Sequence, residues 1–376
     1  MTLPAGFTLL QVVPRLDAGG VEQTTLDIDA AVVAAGGRSL VASAGGRMEN
    51  QLNGELIRLP VDSKNPSVLI ANRKKLKALI RAEGVSLVHA RSRAPAFSGL
   101  WAAKAAGVPF VATYAGIYNA STPLKRWYNG VMTRGEALIA NSHFTAAHLL
   151  AEHGVDPAKV TVIPRGLDLA RFDPAKVSPE RVQTLRTAWG LDGEARPVAL
   201  LAGRLTRWKG QALAIEALAK FGGPVVLVLV GDDQGRTDYR QELLDLASAL
   251  GVAEQVRIVG HCADMPAAYL AADFALAPSL EPEAFGRTAL EPQAMGRPVL
   301  AAEYGGALET VAHDETGWLV EPSGVEAWAE ALAAILDAGP ARWAEMGEAG
   351  QARARMLYSV ETMTGATLDL YARLLA

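Results

Sequence analysis

PVALLAGRLTRWKGQALAIEALAKFGGPVVLVLVG (197–231) holds two apolar runs, PVALLAG (197–203) and PVVLVLVG (224–231), joined by a loop and a helical stretch. Runs that are apolar at every position suit strands covered on both faces by helices. Strand, helix and strand in succession make a parallel βαβ unit. The same rhythm extends outward. Upstream lie FTLLQVV (7–13), SLVHA (86–90), PFVAT (109–113), ALIA (137–140) and VTVIP (160–164); downstream lie QVRIVG (255–260), ADFALAPS (272–279), PVLAA (298–302) and WLV (318–320). Between the two series, residues 168–196 are charged and proline-punctuated and contain no strand candidate, which puts the domain boundary there. The expected fold is α/β, with one domain over 1–170 and a second over 171–357. In YSVETMTGATLDLYARLLA (358–376), Met363, Leu368, Leu370, Tyr371 and Leu374 fall at helical spacing, as in a packing helix.

Composition agrees with this division. A chain of 376 residues exceeds what one hydrophobic core usually serves. With 50% hydrophobic and 20% charged residues and a net charge of -4, it has ample material to bury. Its 36 basic residues against 40 acidic ones give no surplus for phosphate backbones, so nucleic acid is not an expected partner. Cys262 is the single cysteine and no Cys/His cluster has zinc spacing, so neither internal disulfides nor structural zinc are expected. No stretch reaches the ~18 consecutive apolar residues of a membrane span, and MTLPAGFTLLQVVP has no basic region before its apolar run. A cytoplasmic protein is expected. The high count is the 36 glycines.

Parallel sheets bind ligands at the carboxyl ends of their strands, so the loops there decide function. The first strand runs into Gly19-Gly20 and then a helix opening with Val21 and Glu22. Glycines there let backbone N–H groups approach an anion at a helix N-terminus. A tight turn without a ligand explains the pair equally well, and the spacing is not G-x-G-x-x-G. In LLAGRLTRWKG, Gly203, Arg204, Lys209 and Gly210 share one strand-to-helix loop. A guanidinium fork, a compact ammonium and a close backbone suit a diphosphate. In EPEAFGRTALEPQAMGRPVLAA, seven residues separate Glu283 from Glu291 and Gly286 precedes a helix running to Met295. Glu283 then lies at the helix mouth and Glu291 about one and a half turns inside. Each carboxylate can take two hydroxyls of a sugar or ribose; the plainer readings are a first-turn acid and a salt-bridged surface residue.

These motifs, with GGVE (19–22), NSHFTA (141–146), VIPRGLDLARFDP (162–174), VGDD (230–233), GRPVLA (296–301) and TGWLV (316–320), resemble the retaining glycosyltransferase family 4, also called group 1, along most of the chain. The resemblance implies the GT-B architecture: two Rossmann-like domains with parallel sheets facing across a cleft, the acceptor mainly on the first and a nucleoside-diphosphate sugar mainly on the second. It also implies that the helix 358–376 returns to the first domain. On the matching positions it implies diphosphate contacts from Arg204 and Lys209 and a backbone facing the phosphates at Gly19, Gly20 and Gly203. Glu291 would bind the ribose and Glu283 would lie next to the donor sugar, with Phe285, Gly286, Arg287 and Thr288 following along sugar and phosphate. Asn141 and Ser142 would support the cleft.

One departure stands out. Family members commonly carry a histidine two residues after the threonine that here is Thr113, and this chain has Ala115. His89 could approach the site from the end of its strand; His261 is near the expected base pocket, where a loop role is as good a reading as nucleotide contact. His143, His148 and His153 read as solvated or packed on a helix, and His313 as peripheral.

The implied reaction is sugar transfer to a hydroxyl acceptor with retention, with envelope polysaccharide, lipopolysaccharide or glycolipid synthesis as its setting and with no metal or cofactor. A glycan or lipid-linked acceptor brings in peripheral contact with the inner face of the membrane. The basic helix-like segment 71–84 and the patch Lys125, Arg126, Trp127 and Tyr128 are its candidates, the former equally readable as a solvated outer helix. A sugar-nucleotide epimerase of the same architecture and a non-catalytic sugar-nucleotide-binding protein are the alternatives.

Overall fold

The computed structural model describes residues 3–17, 19–118, 120–235 and 237–376. The chain divides into two units, Met1–Gly166 with Val360–Ala376, and Leu167–Ser359. In the first, β1 (Thr8–Val12), β2 (Arg38–Ser43), β3 (Glu55–Arg58), β4 (Leu87–Ala90), β5 (Phe110–Tyr114), β6 (Ala137–Ala140) and β7 (Val160–Val162) form one parallel sheet in the order β3-β2-β1-β4-β5-β6-β7. In the second, β8 (Val198–Ala202), β9 (Val226–Val230), β10 (Val256–Gly260), β11 (Phe274–Ala277), β12 (Val299–Ala302) and β13 (Gly317–Val320) are ordered β10-β9-β8-β11-β12-β13, again all parallel. Both are Rossmann-like orders. The chain reverses direction across each sheet between its first and fourth strands, which opens a crevice at their carboxyl ends.

β8 shows why its sequence is apolar throughout. Ala199 and Leu201 enter one core cluster, while Val198, Leu200 and Ala202 enter another on the opposite face. A strand sandwiched in this way has no solvent face on which to place a polar residue.

Two strands escaped the sequence reading. β3 has the burial pattern of a half-exposed edge, and its sequence ELIR carries charge at both ends. β2 is buried beyond Arg38, but Ser39 and Ser43 break its apolar run.

Residues 168–196, where the boundary was expected, belong to the second unit. They form the helix Pro179–Ala188 and bury Phe172, Trp189 and Leu191 beneath the second sheet. The division falls at Gly166/Leu167 and not after residue 170, because Leu167 is buried in that core and its N–H donates to Tyr358 O at 2.7 Å. The same contact keeps Tyr358 and Ser359 in the second unit. The closing helix Val360–Leu375 then packs Met363, Leu370 and Tyr371 against Phe7, Leu9, Ile28 and Val32 of the first unit.

Candidate functional site

In the second unit the loops after β8 and β11 flank the reversal in strand order, and they are tied together by backbone contacts. Gly210 has φ 75°, and a Cβ there would strike the Pro278 carbonyl, so no larger residue allows this approach. Leu280 N–H donates to Trp208 O at 2.6 Å. Lys209 therefore emerges beside the loop that carries Ser279 and Glu283.

Its aliphatic stem lies over Gly203, where an added Cβ would sit 3.4 Å from Lys209 Cδ. Lys209 Nζ donates to Glu283 Oε1 at 2.6 Å, and the two side chains are only 10% and 18% exposed. Ser279 Oγ donates to the same oxygen at 2.6 Å and Thr288 Oγ1 at 3.3 Å. The Trp208 ring faces the ammonium, 4.4 Å from Nζ to centroid. Charge-assisted bonds of this kind offset the desolvation of the pair. The backbone of Glu283 is held too: Gly306 N–H donates to its carbonyl at 2.7 Å, and at Gly305, with φ 63°, a Cβ would come within 2.6 Å of that oxygen.

Gly286, with φ 78°, caps the helix Arg287–Ala294. Thr288 in its first turn reaches back to Glu283. Arg287 pairs with Glu291 at 2.6 Å across one turn, and Glu291 Oε2 accepts from Tyr269 OH at 3.0 Å. Burial, and after it the Glu291 carboxylate, hold the Tyr269 phenol well above its ordinary pKa, so it remains a donor. Arg204 is exposed in the β8 loop, where its carbonyl accepts from Gln211 Nε2 at 2.9 Å.

The structure thus gathers Gly203, Arg204, Lys209, Glu283, Gly286, Arg287, Thr288 and Glu291 at one edge of the second sheet. Phe285 is also in the sequence-expected set. Phe285 is 5% exposed and its ring packs edge-on against Tyr358, with centroids 5.7 Å apart, which supports the loop from the core. Ser279 and Tyr269 were missed by sequence reasoning. Ser279 had a positional signal, directly at a strand end; Tyr269 had none.

Gly19 and Gly20 belong to the first unit, at the start of the helix Gly20–Ala34. Gly19 has φ 133°, and a Cβ on Gly20 would collide with the Arg165 guanidinium. His89 keeps both ring nitrogens bonded inside the fold. It is wholly buried, with Nδ1 2.5 Å from Tyr371 OH and Nε2 2.7 Å from Thr113 Oγ1. Burial, assisted by the Arg91 charge, holds its pKa well below the ordinary value. Folded His89 stays neutral where unfolded His89 takes up a proton. Its contribution is complete above the ordinary pKa of 6.5 and is lost as the pH falls from there toward the lowered folded value. Between pH 7.5 and 5.5 denaturant titration should show the parent losing roughly 1.4 kcal/mol more stability than His89→Gln; equal losses would contradict this origin of acid sensitivity.

Comparison with known proteins agrees with this fold. The family model described as glycosyl transferases group 1 matches residues 186–353, and that described as Glycosyltransferase Family 4 matches residues 18–171. A glycosyltransferase structure from Rickettsia africae is 32% identical, with a TM-score of 0.91 over 99% of each chain. Anabaena HepE, solved in complex with UDP and glucose, is 25% identical with a TM-score of 0.83, over 98% of this chain and 100% of that one. The D-inositol 3-phosphate glycosyltransferase of Xylanimonas cellulosilytica is 33% identical over 246 residues, 65% of this chain and 58% of the relative. That of Gordonia bronchialis is 34% identical over 253 residues, 65% and 53%. The chain spans little more than half the length of these curated relatives. Near-complete correspondence with the Rickettsia structure, two matching family models and two Rossmann-like sheets place the chain among the group 1 glycosyltransferases of the GT-B fold.

Proposed function

We propose that this protein transfers a glycosyl group from a nucleoside-diphosphate sugar to a hydroxyl of a glycan or lipid-linked acceptor, with retention at the anomeric carbon. The observation that carries the reading is the buried Lys209–Glu283 pair beside exposed Arg204, at the strand-order reversal of the second sheet. An ammonium has three N–H donors. Glu283 takes one and fixes the direction of the others, which serve phosphate oxygens together with the Arg204 fork. Negative charge grows on the departing diphosphate, and two positioned cations stabilise it without a metal. Acceptor attack from the face that the diphosphate leaves, with a phosphate oxygen taking the hydroxyl proton, gives retention without a covalent intermediate. Glu291, held by Arg287 and Tyr269, binds the ribose hydroxyls. The UDP and glucose bound by Anabaena HepE make UDP-glucose the first donor to test.

Arg204→Ala and Lys209→Ala should each lower kcat on the order of 10²-fold, the scale of losing one preorganised charge-stabilising donor. The parent should be unaffected by EDTA and should release an α-linked product from UDP-glucose by proton NMR. Unchanged turnover in both variants, or an inverted product, would overturn this mechanism. Glu291→Gln should chiefly weaken binding of UDP, as read by calorimetric titration; parental affinity would remove the ribose role.

The reading extends to an envelope acceptor reached from the inner face of the membrane. Among the described residues no helix is long and apolar enough to cross a membrane. Of the two candidate contacts, the helix Pro66–Ala82 has its apolar stripe, Leu69, Leu76 and Ile80, committed to the core. By contrast, the helix Pro123–Asn129 leaves Leu124 74% and Trp127 53% exposed beside Lys125 and Arg126. In vesicle flotation, Leu124→Ser with Trp127→Ser should release the protein from anionic liposomes that the parent accompanies. A parent that stays in solution would remove membrane contact from the proposal.

A further inference from the structure

Two partners of unlike exposure share the Glu291 carboxylate. Arg287 Nη2 reaches Oε1 at 2.6 Å, and the arginine side chain is 38% exposed against 12% for the glutamate. A guanidinium in contact with water is weakly held, and its planar fork takes both oxygens of a carboxylate when both are available. Tyr269 is the contrary case. It is 1% exposed, lies in the last turn of the helix Met265–Leu270 and packs in the core with Phe172, Leu290 and Met295. Its carbonyl and that of Leu270 accept from the Arg297 guanidinium at 3.4 and 3.0 Å, so ring and backbone are both fixed. From this position its hydroxyl donates to Glu291 Oε2 at 3.0 Å.

The two contacts divide the carboxylate between them. A phenol that donates to Oε2 keeps that oxygen out of the Arg287 fork, so the ion pair stays on one oxygen and each oxygen retains acceptor capacity for a ligand. Without the phenol, the carboxylate would turn onto both prongs of the guanidinium and away from a ligand. An ionised carboxylate only accepts, so the group it takes up through its remaining capacity must be a donor, such as a hydroxyl. A site built around such a bond discriminates against a ligand that lacks the hydroxyl, because the carboxylate is then desolvated with its capacity unmet.

We infer that Tyr269 is a positioning residue that makes the site selective for ribonucleotides: by holding Oε2 it keeps Glu291 turned to the ribose 2′-hydroxyl and out of the Arg287 fork. The donor is then a ribonucleoside diphosphate sugar in preference to a deoxythymidine diphosphate sugar, which has no hydroxyl at that carbon. This assignment rests on the ribose reading of Glu291 above.

The full chain is titrated calorimetrically with UDP and with 2′-deoxy-UDP. The parent should bind UDP on the order of tenfold more tightly. Tyr269→Phe removes a single oxygen from the core and should bring the two affinities within about threefold of each other, by weakening UDP and leaving 2′-deoxy-UDP as in the parent. A merely structural loss would weaken both nucleotides and keep their ratio. Tyr358→Phe removes another buried phenol of the same unit, one that donates to Glu309 O at 2.6 Å, and should keep the parental ratio. Tyr269→Phe added to Glu291→Gln should give the ratio of Glu291→Gln alone, because the phenol acts only through that carboxylate; this double variant decides the matter where Tyr269→Phe does not fold by itself. A parental ratio in Tyr269→Phe, a ratio that moves equally in Tyr358→Phe, or a double variant whose ratio departs from that of Glu291→Gln overturns the inference and leaves Glu291 on the ribose. A Glu291→Gln variant with the parental ratio, or a parent without a preference, removes the ribose role itself, and the inference falls with it.

Discussion

Parallel strands cannot be joined by a tight turn, and every connection between strands of one sheet must cross back over a face of that sheet before the next strand begins. That constraint gathers all carboxyl ends of a sheet along one edge. Where the order reverses, between β8 and β11 and between β1 and β4, the crossovers leave to opposite faces and the loops part. Residues far apart in sequence, Lys209 and Glu283, thereby meet at 2.6 Å. Arg91, Ala115 and Asn141 fall in one cavity for the same reason.

At the second reversal the electrostatics are closed locally. A buried ion pair is favourable only when its remaining hydrogen-bonding capacity is met. Ser279 and Thr288 meet that of Glu283, and the Trp208 face lies against Lys209. Gly210, Gly305 and Gly306 permit the backbone approaches that bring these groups together, which accounts for part of the glycine-rich composition. At the reversal in the first sheet a buried cation is hydrogen-bonded to neutral groups. Arg91 is buried without an ion pair among the described residues, and Gln11 and Thr113 supply only neutral oxygens.

Much of this was legible in sequence. Strands buried on both faces announce themselves as continuous apolar runs, and both sheets were located from them. β2 and β3 were lost because serines and terminal charges dilute short strands, the second of them at an edge where burial demands little. Residues 168–196 read as the domain boundary because their charged surface outweighed Phe172, Trp189 and Leu191, whose burial depends on partners elsewhere in the chain. Gln11 was the overlooked signal. A polar residue inside a buried strand needs a partner, and here that partner is Arg91.

The amino-acid sequence by itself determined the alternation of strand and helix, the two-domain α/β class, and the loops that would carry Arg204, Lys209, Glu283 and Glu291. These are local properties, set by side-chain periodicity and by the backbone freedom of glycine next to strand ends. Tertiary structure alone decided that Phe285 turns into the core, that Tyr269 holds Glu291, and that His89 is a buried neutral group bonded to Tyr371 and Thr113. Such pairings depend on which segments the sheet order makes neighbours, and no spacing along the chain encodes a contact as distant as that between His89 and Tyr371.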